Sequence, residues 1–193
     1  MTPFTTLTSI AVSLIRDNID TDAIIPSCEM KSTGKTGLAG GLFAPWRYTD
    51  AGARTPDPGF VLNDPTYAGA QILLAGKNFG CGSSREHAVW ALAEYGIRAV
   101  IAESFAPIFR GNCIRNGVLP IELDTDTIAD IAGQEITIDL ADQTVGGYEF
   151  HIDQETKSML LEGLDAIDLT YKHAGAISDF HARDRTLRPW VYL

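Results

Sequence analysis

The residues best placed to do chemistry lie in GKNFGCGSSREHA, at positions 76–88. The short apolar run Gln71 to Ala75 before it predicts a buried strand. The spacing of Ala88, Ala91, Leu92 and Tyr95 predicts a helix from Ser84 to about Tyr95, closed by Gly96. A glycine turn between strand and helix gathers free backbone N–H groups and the positive helix end at one spot, which suits a carboxylate or a phosphate. The spacing is neither that of a Walker A loop nor that of a dinucleotide fingerprint, so no nucleotide is implied. Arg85 adds a planar donor fork matched to a carboxylate. Ser83 to Glu86 has the S-x-x-E form of a capping box, so the local pattern favours a capping role for Ser83 over a catalytic one. Cys81, in a glycine turn at a helix start, has the setting of a thiol with lowered pKa, but no base stands beside it in sequence. His87 reads as a packing or hydrogen-bonding residue of the helix.

Two further segments carry polar residues that could share this spot. SFAPIFRGNCIRNG, 104–117, predicts a second helix from Phe105 to Asn116, closed by Gly117. In a parallel sheet its leading loop emerges at the same edge as the glycine turn, which makes Ser104, Arg110, Asn112 and Arg115 candidates for one cleft. For each arginine a surface ion pair is the alternative. DNIDTDAIIP, 17–26, concentrates Asp17, Asp20 and Asp22 ahead of an apolar pair. A capped turn accounts for it, and three acids at this spacing do not complete a calcium loop.

The elements that must position these residues read as α/β. Strands are expected at Leu7 to Ile15, Gln71 to Ala75, Ala99 to Ala102 and Val118 to Ile121. The last three, joined by the two helices, form a parallel βαβαβ unit. Residues 27–66 are loop-rich, with six glycines and four prolines. Further on, Glu135 to Leu140 and Tyr148 to Ile152 alternate around Gly146-Gly147, which predicts a hairpin. Asp153 caps a helix through Leu161, and Ala174 to Ala182 suits another. No linker divides the 193 residues, so one domain, 1–193, is expected.

Composition narrows the function. Mean hydropathy is near zero, and no apolar run approaches the roughly 20 residues of a membrane span. The first residues carry no basic segment and no small-residue cleavage site, so a cytoplasmic location is expected. The net charge of −10 lies wholly after residue 120, because residues 1–120 balance ten basic against ten acidic residues. A basic surface that tracks nucleic-acid phosphates is therefore not expected. Cys28, Cys81 and Cys113 form neither a disulfide framework nor a CxxC pair, and no metal site is assigned to this chain.

DNIDTDAIIP, GKNFGCGSSREHA, SFAPIFRGNCIRNGVLPI and GLDAIDLT (163–170), in this order, closely resemble the small subunits of 3-isopropylmalate dehydratase, in the aconitase superfamily. The resemblance covers nearly the whole chain, and GSSREHA is highly specific within that superfamily. It implies a swivelling β/β/α domain equivalent to the mobile C-terminal domain of aconitase. It also implies a large-subunit partner that carries a [4Fe–4S] cluster, and a small dicarboxylate substrate. By motif match Ser83 corresponds to the catalytic base, and Ser84 and Arg85 to residues that hold substrate carboxylate. Thr21, Asp22, Gly82, Arg110 and Asn112 are expected to line the site, with Asp22 as an orienting group. Ser27 to Gly37, with Cys28, Lys31 and Lys35, occupies the place of the specificity loop. It has no arginine, so a third substrate carboxylate has no obvious clamp there unless Lys31 or Lys35 substitutes. A paralogue acting on citramalate or another substituted malate is the close alternative. A non-catalytic anion-binding module that kept the turn is the alternative of another class.

Overall fold

A computed structural model describes residues 1–31 and 34–192. The chain opens with strand β1 (Thr6–Ser13), a one-turn helix α1 (Thr21–Ile24), helix α2 (Ala44–Arg47) and the small hairpin β2 (Tyr48–Asp50) and β3 (Thr55–Pro56). The central unit follows: β4 (Ile72–Leu74), α3 (Glu86–Tyr95), β5 (Ala99–Ala102), α4 (Pro107–Arg115) and β6 (Leu119–Glu122). The remainder is α5 (Thr125–Asp130), β7 (Glu135–Asp139), β8 (Thr144–Val145), β9 (Tyr148–Glu149), α6 (Gln154–Glu162), α7 (Ala166–Tyr171) and α8 (Ala174–Leu187).

Seven strands form one mixed sheet in the order β6-β5-β4-β1-β7-β8-β9. The parallel half, β1-β4-β5-β6, is the expected βαβαβ unit extended by β1. The antiparallel half, β7-β8-β9, attaches to the other edge of β1. The hairpin differs in detail from the expectation. Gly146 and Gly147, at φ 57° and 92°, turn β8 into β9, while β7 pairs with β8, a two-residue strand too short to show a period.

Alternation along the central strands sorts their side chains onto two cores, since successive residues of a strand point to opposite faces. Leu73, Val100 and Ala102 face α3, α4 and the 17–66 segment. Ile72, Leu74, Ala99 and Ile101 face α5, α6 and the antiparallel half. Burial on both faces explains why these strands read as continuous apolar runs. Gly96 ends α3 in the left-handed region, at φ 112°, with its N–H on the carbonyls of Ala93 and Leu92. Asp153 caps α6 by accepting from Thr156 N at 2.8 Å, as expected. The helix α8 runs to Leu187, five residues past the expected end. It and α7 are exposed along almost their whole length. No helix among the described residues is long and apolar enough to cross a membrane.

Candidate functional site

Three segments distant in sequence meet at the carboxyl ends of β1, β4 and β5, the edge where open parallel sheets bind ligands. Backbone hydrogen bonds stitch them together. The glycine turn 76–85 donates from Phe79 N to Ser104 O at 3.0 Å and accepts at Phe79 O from Ala106 N at 3.0 Å. On its other side Gly80 N donates to Ile19 O at 2.8 Å, and Cys81 O accepts from Thr21 N at 2.9 Å. Ser104 completes the seam by accepting from Asn78 N on its hydroxyl at 2.9 Å, so it ties two loops together and does not line the cleft. Two glycines are required here by conformation. Gly80 sits at φ 74° with the Phe109 ring against its Cα, and Gly82 sits at φ 90°.

The seam leaves a cleft of about 100 Å³. One wall is Thr21, Gly82, Ser83, Ser84 and Arg85; the other is Ala106, Pro107, Ile108 and Phe109, with Asn112 between. Thr21 is buried, and its hydroxyl donates to Ser83 O at 3.0 Å. Arg85 makes a direct ion pair with Asp22, whose carboxylate is the more exposed partner. Helices α3 and α4 both begin at this cleft, with Arg85 and Ala106 as caps that make no side-chain capping bond. The first-turn N–H groups of both, and the positive ends of both helix dipoles, therefore gather at one place.

The capping box expected at Ser83 is not formed. Arg85 holds extended backbone at φ −79° and ψ 109°, which delays α3 to Glu86. The reason is local competition. The Ser83 carbonyl is taken by Thr21 Oγ1 and by Arg85 N, the latter at 2.7 Å, and the Arg85 side chain is drawn to Asp22. Glu86 accepts from Asn116 Nδ2 at 2.7 Å and does not reach back to Ser83. No hydrogen bond engages the Ser83 hydroxyl among the described residues.

Of the residues singled out in the sequence, Thr21, Gly82, Ser83, Ser84, Arg85 and Asn112 come together, and Asp22 reaches the group through Arg85. Arg110 does not line the cleft; its Nε lies 3.9 Å from Glu122. Arg115 donates to Asn112 Oδ1 from within α4. The expected specificity loop also stands apart from the cleft. Lys35 donates to Asn116 Oδ1 at 3.0 Å and lies 5.4 Å over the Trp90 ring, toward the far ends of α3 and α4, while Cys28 and Lys31 are exposed or nearly so. The Glu94 carboxylate holds the loop's exit there, accepting from Gly37 N, Leu38 N and Ala39 N at 2.6, 2.5 and 2.8 Å. Ser32 and Thr33 of that loop lie outside the described residues. Sequence reasoning missed the wall of Ala106 to Phe109. Pro107 at the first helical position was the available signal, since proline there marks a helix start.

The described residues do not fit a cluster or metal site. Among the described residues no three His, Cys, Asp or Glu side chains converge as a ligand set. Cys28 is exposed on its loop, Cys81 sits half-buried in the glycine turn, and Cys113 is sealed in the first core, where burial pushes its thiol pKa up.

Comparison with known proteins places the chain in a family. The family model of the aconitase C-terminal domain matches residues 1–126. The 3-isopropylmalate dehydratase small subunit of Cupriavidus necator is 52% identical over 205 residues, covering 100% of this chain and 99% of that protein. The small subunit of the same name from Brucella anthropi is 48% identical, over 99% of this chain and 100% of the other. A crystal structure of 3-isopropylmalate dehydratase from Methanocaldococcus jannaschii superposes with a TM-score of 0.67 at 30% identity, over 90% of this chain and 98% of that one. Because the likeness runs from end to end and takes in every segment of the cleft, the chain belongs to the 3-isopropylmalate dehydratase small-subunit family of the aconitase superfamily.

Proposed function

We propose that residues 1–193 act as one domain, the small subunit of a two-chain hydro-lyase that interconverts 2-isopropylmalate and 3-isopropylmalate through 2-isopropylmaleate in leucine biosynthesis. The observation that carries this reading is the Ser83-Ser84-Arg85 wall at the start of α3, facing the start of α4 across one cleft. Arg85, Ser84 and the first-turn N–H groups supply donors for a substrate carboxylate. Ser83 takes the proton from the carbon beside that carboxylate. A serine hydroxyl is a poor base at neutral pH, so its alkoxide needs the helix N–H groups, the adjacent guanidinium and a dry closed site. Loss of hydroxide from the neighbouring carbon leaves the alkene, and return of water with opposite regiochemistry gives the isomer.

The size of the cleft supports activity only in complex with a large subunit. Small-molecule sites usually enclose roughly 300 Å³ or more, and this one offers about 100 Å³. The residues here do not fit an iron–sulfur cluster, so the cluster is assigned to that partner and no step on this chain runs through it. Three unpaired cysteines suit work in the cytoplasm.

The test is reconstitution with a cognate cluster-bearing large subunit, following isopropylmaleate absorbance. The wild-type mixture should turn over isopropylmalate. Ser83→Ala should lower kcat by about a hundredfold or more, as removal of a general base does. Normal turnover by that variant would remove the base assignment.

A further inference from the structure

The two walls of the cleft differ in chemistry. The Ser83 to Arg85 wall offers hydroxyls, a guanidinium and helix N–H groups. The wall opposite offers Ala106, Pro107 and Ile108, with no charged group. Within it Phe109 is buried in the first core, while Ile108, one position earlier on α4, is 58% exposed. An isolated exposed isoleucine needs no explanation. This one occupies the first turn of a helix, where an acidic or small polar side chain would be favoured and where a β-branched apolar one gains nothing from the dipole. It also lines the one cleft where the substrate would lie.

We propose that Ile108 is the specificity-determining contact for the substrate's alkyl substituent. This rests on the functional reading above. With a carboxylate held at Arg85 and Ser84, a branched alkyl group turned to the other wall meets Ile108 and Pro107 and removes apolar surface from water on both sides. Lys35 of the 27–37 loop is held by Asn116 and Trp90 and does not line the cleft. Arg85 is the only cation among the described lining residues, so a substituent ending in a further carboxylate would face an apolar wall without a counter-charge.

The experiment compares wild type, Ile108→Val and Ile108→Ala in complex with the large subunit, measuring kcat/KM on isopropylmalate and on its methyl-substituted analogue, citramalate. Because Ile108 is mostly exposed, both variants should fold. Removing methylenes from a hydrophobic contact should cost Ile108→Ala about tenfold or more on isopropylmalate, mainly in KM, with a smaller loss for Ile108→Val and less than about threefold on citramalate for either. Equal losses on the two substrates would overturn the proposal, as would a loss that disappears at excess large subunit, which would make Ile108 a subunit contact. A wild-type complex that turns over neither malate would overturn the functional reading and this inference with it.

Discussion

Replacing Gly80 with alanine tests how tightly the glycine turn is locked onto α4. A Cβ built on Gly80 would lie 2.1 to 2.5 Å from three atoms of the Phe109 ring, far inside ordinary contact. The ring has nowhere to go. Phe109 is 2% exposed and stands edge-on to Phe79 at 5.3 Å, and Phe79 stands edge-on to Phe105 at 6.2 Å. Left-handed backbone costs a residue with a side chain about 1–2 kcal/mol. Overpacking a filled core adds about 1–3 kcal/mol, so Gly80→Ala should destabilise by roughly 2–5 kcal/mol. Gly82→Ala is the control, because it shares the backbone strain at φ 90° while its Cβ would meet nothing nearer than 3.4 Å. It should lose only about 1–2 kcal/mol. Urea unfolding of both variants, with Phe109→Ala and the Gly80→Ala/Phe109→Ala pair, completes a double-mutant cycle. The pair should be less damaged than the sum by about 1–3 kcal/mol, since removing the ring removes the clash. A cycle additive within about 0.5 kcal/mol, or a Gly82→Ala as damaging as Gly80→Ala, would refute the reasoning.

Two further predictions concern the frame around the cleft. Hydrogen bonds from Gly37 N foremost, then Ala39 N and Leu38 N, hold the Glu94 carboxyl below the usual carboxylate range. A depressed carboxylate pKa contributes stability above the unfolded value, near 4.3, and loses it as pH falls through the folded value. Glu94 is exposed, so solvent screening reduces the contribution to about 1 kcal/mol. Glu94→Gln should thus be less stable than wild type at pH 7 and converge on it in acid urea titrations; a gap that stays constant with pH would contradict this. Deleting residues 174–193 should leave both cores whole, since neither contains a residue beyond Leu161. The melting temperature should change by no more than about 2 °C, and a loss above about 2 kcal/mol would show that the tail supports the fold.

The central βαβαβ unit was legible because each of its signals is strong and local. Strands buried on both faces leave short apolar runs, and Gly96 and Gly117 stop their helices at φ 112° and 74°. Elements held together by distant contacts were not legible. A two-residue strand such as β8 cannot display alternation, so the Gly146-Gly147 turn was joined to the wrong partner. Helix α5 has six residues and a cap at Asp124, too few for a helical period to stand out. At the cleft, residue types and spacing indicated the anion-binding glycine turn and Arg85, and only the family resemblance pointed to Ser83 and Ser84; the capping box was a sound local pattern defeated by tertiary partners. Thr21 claims the Ser83 carbonyl across 62 positions and Asp22 claims the Arg85 side chain across 63, and no window along the chain contains those distances.

The charge of the chain is unevenly placed. Residues 121–163 hold eleven acidic residues and one basic one, and the tail beyond them is balanced, so the whole excess of −10 lies on the segment that forms β7 to β9, α5 and α6. None of those residues lines the cleft. The charge on the cleft wall itself is balanced, because Arg85 is already paired with Asp22. A dicarboxylate entering the cleft brings two negative charges to a wall whose only cation among the described residues is offset. First-turn N–H groups supply partial positive charge, about half a unit per helix end, which falls short of neutralising both carboxylates. The proposed substrate therefore needs cationic groups beyond those that line the cleft in this chain.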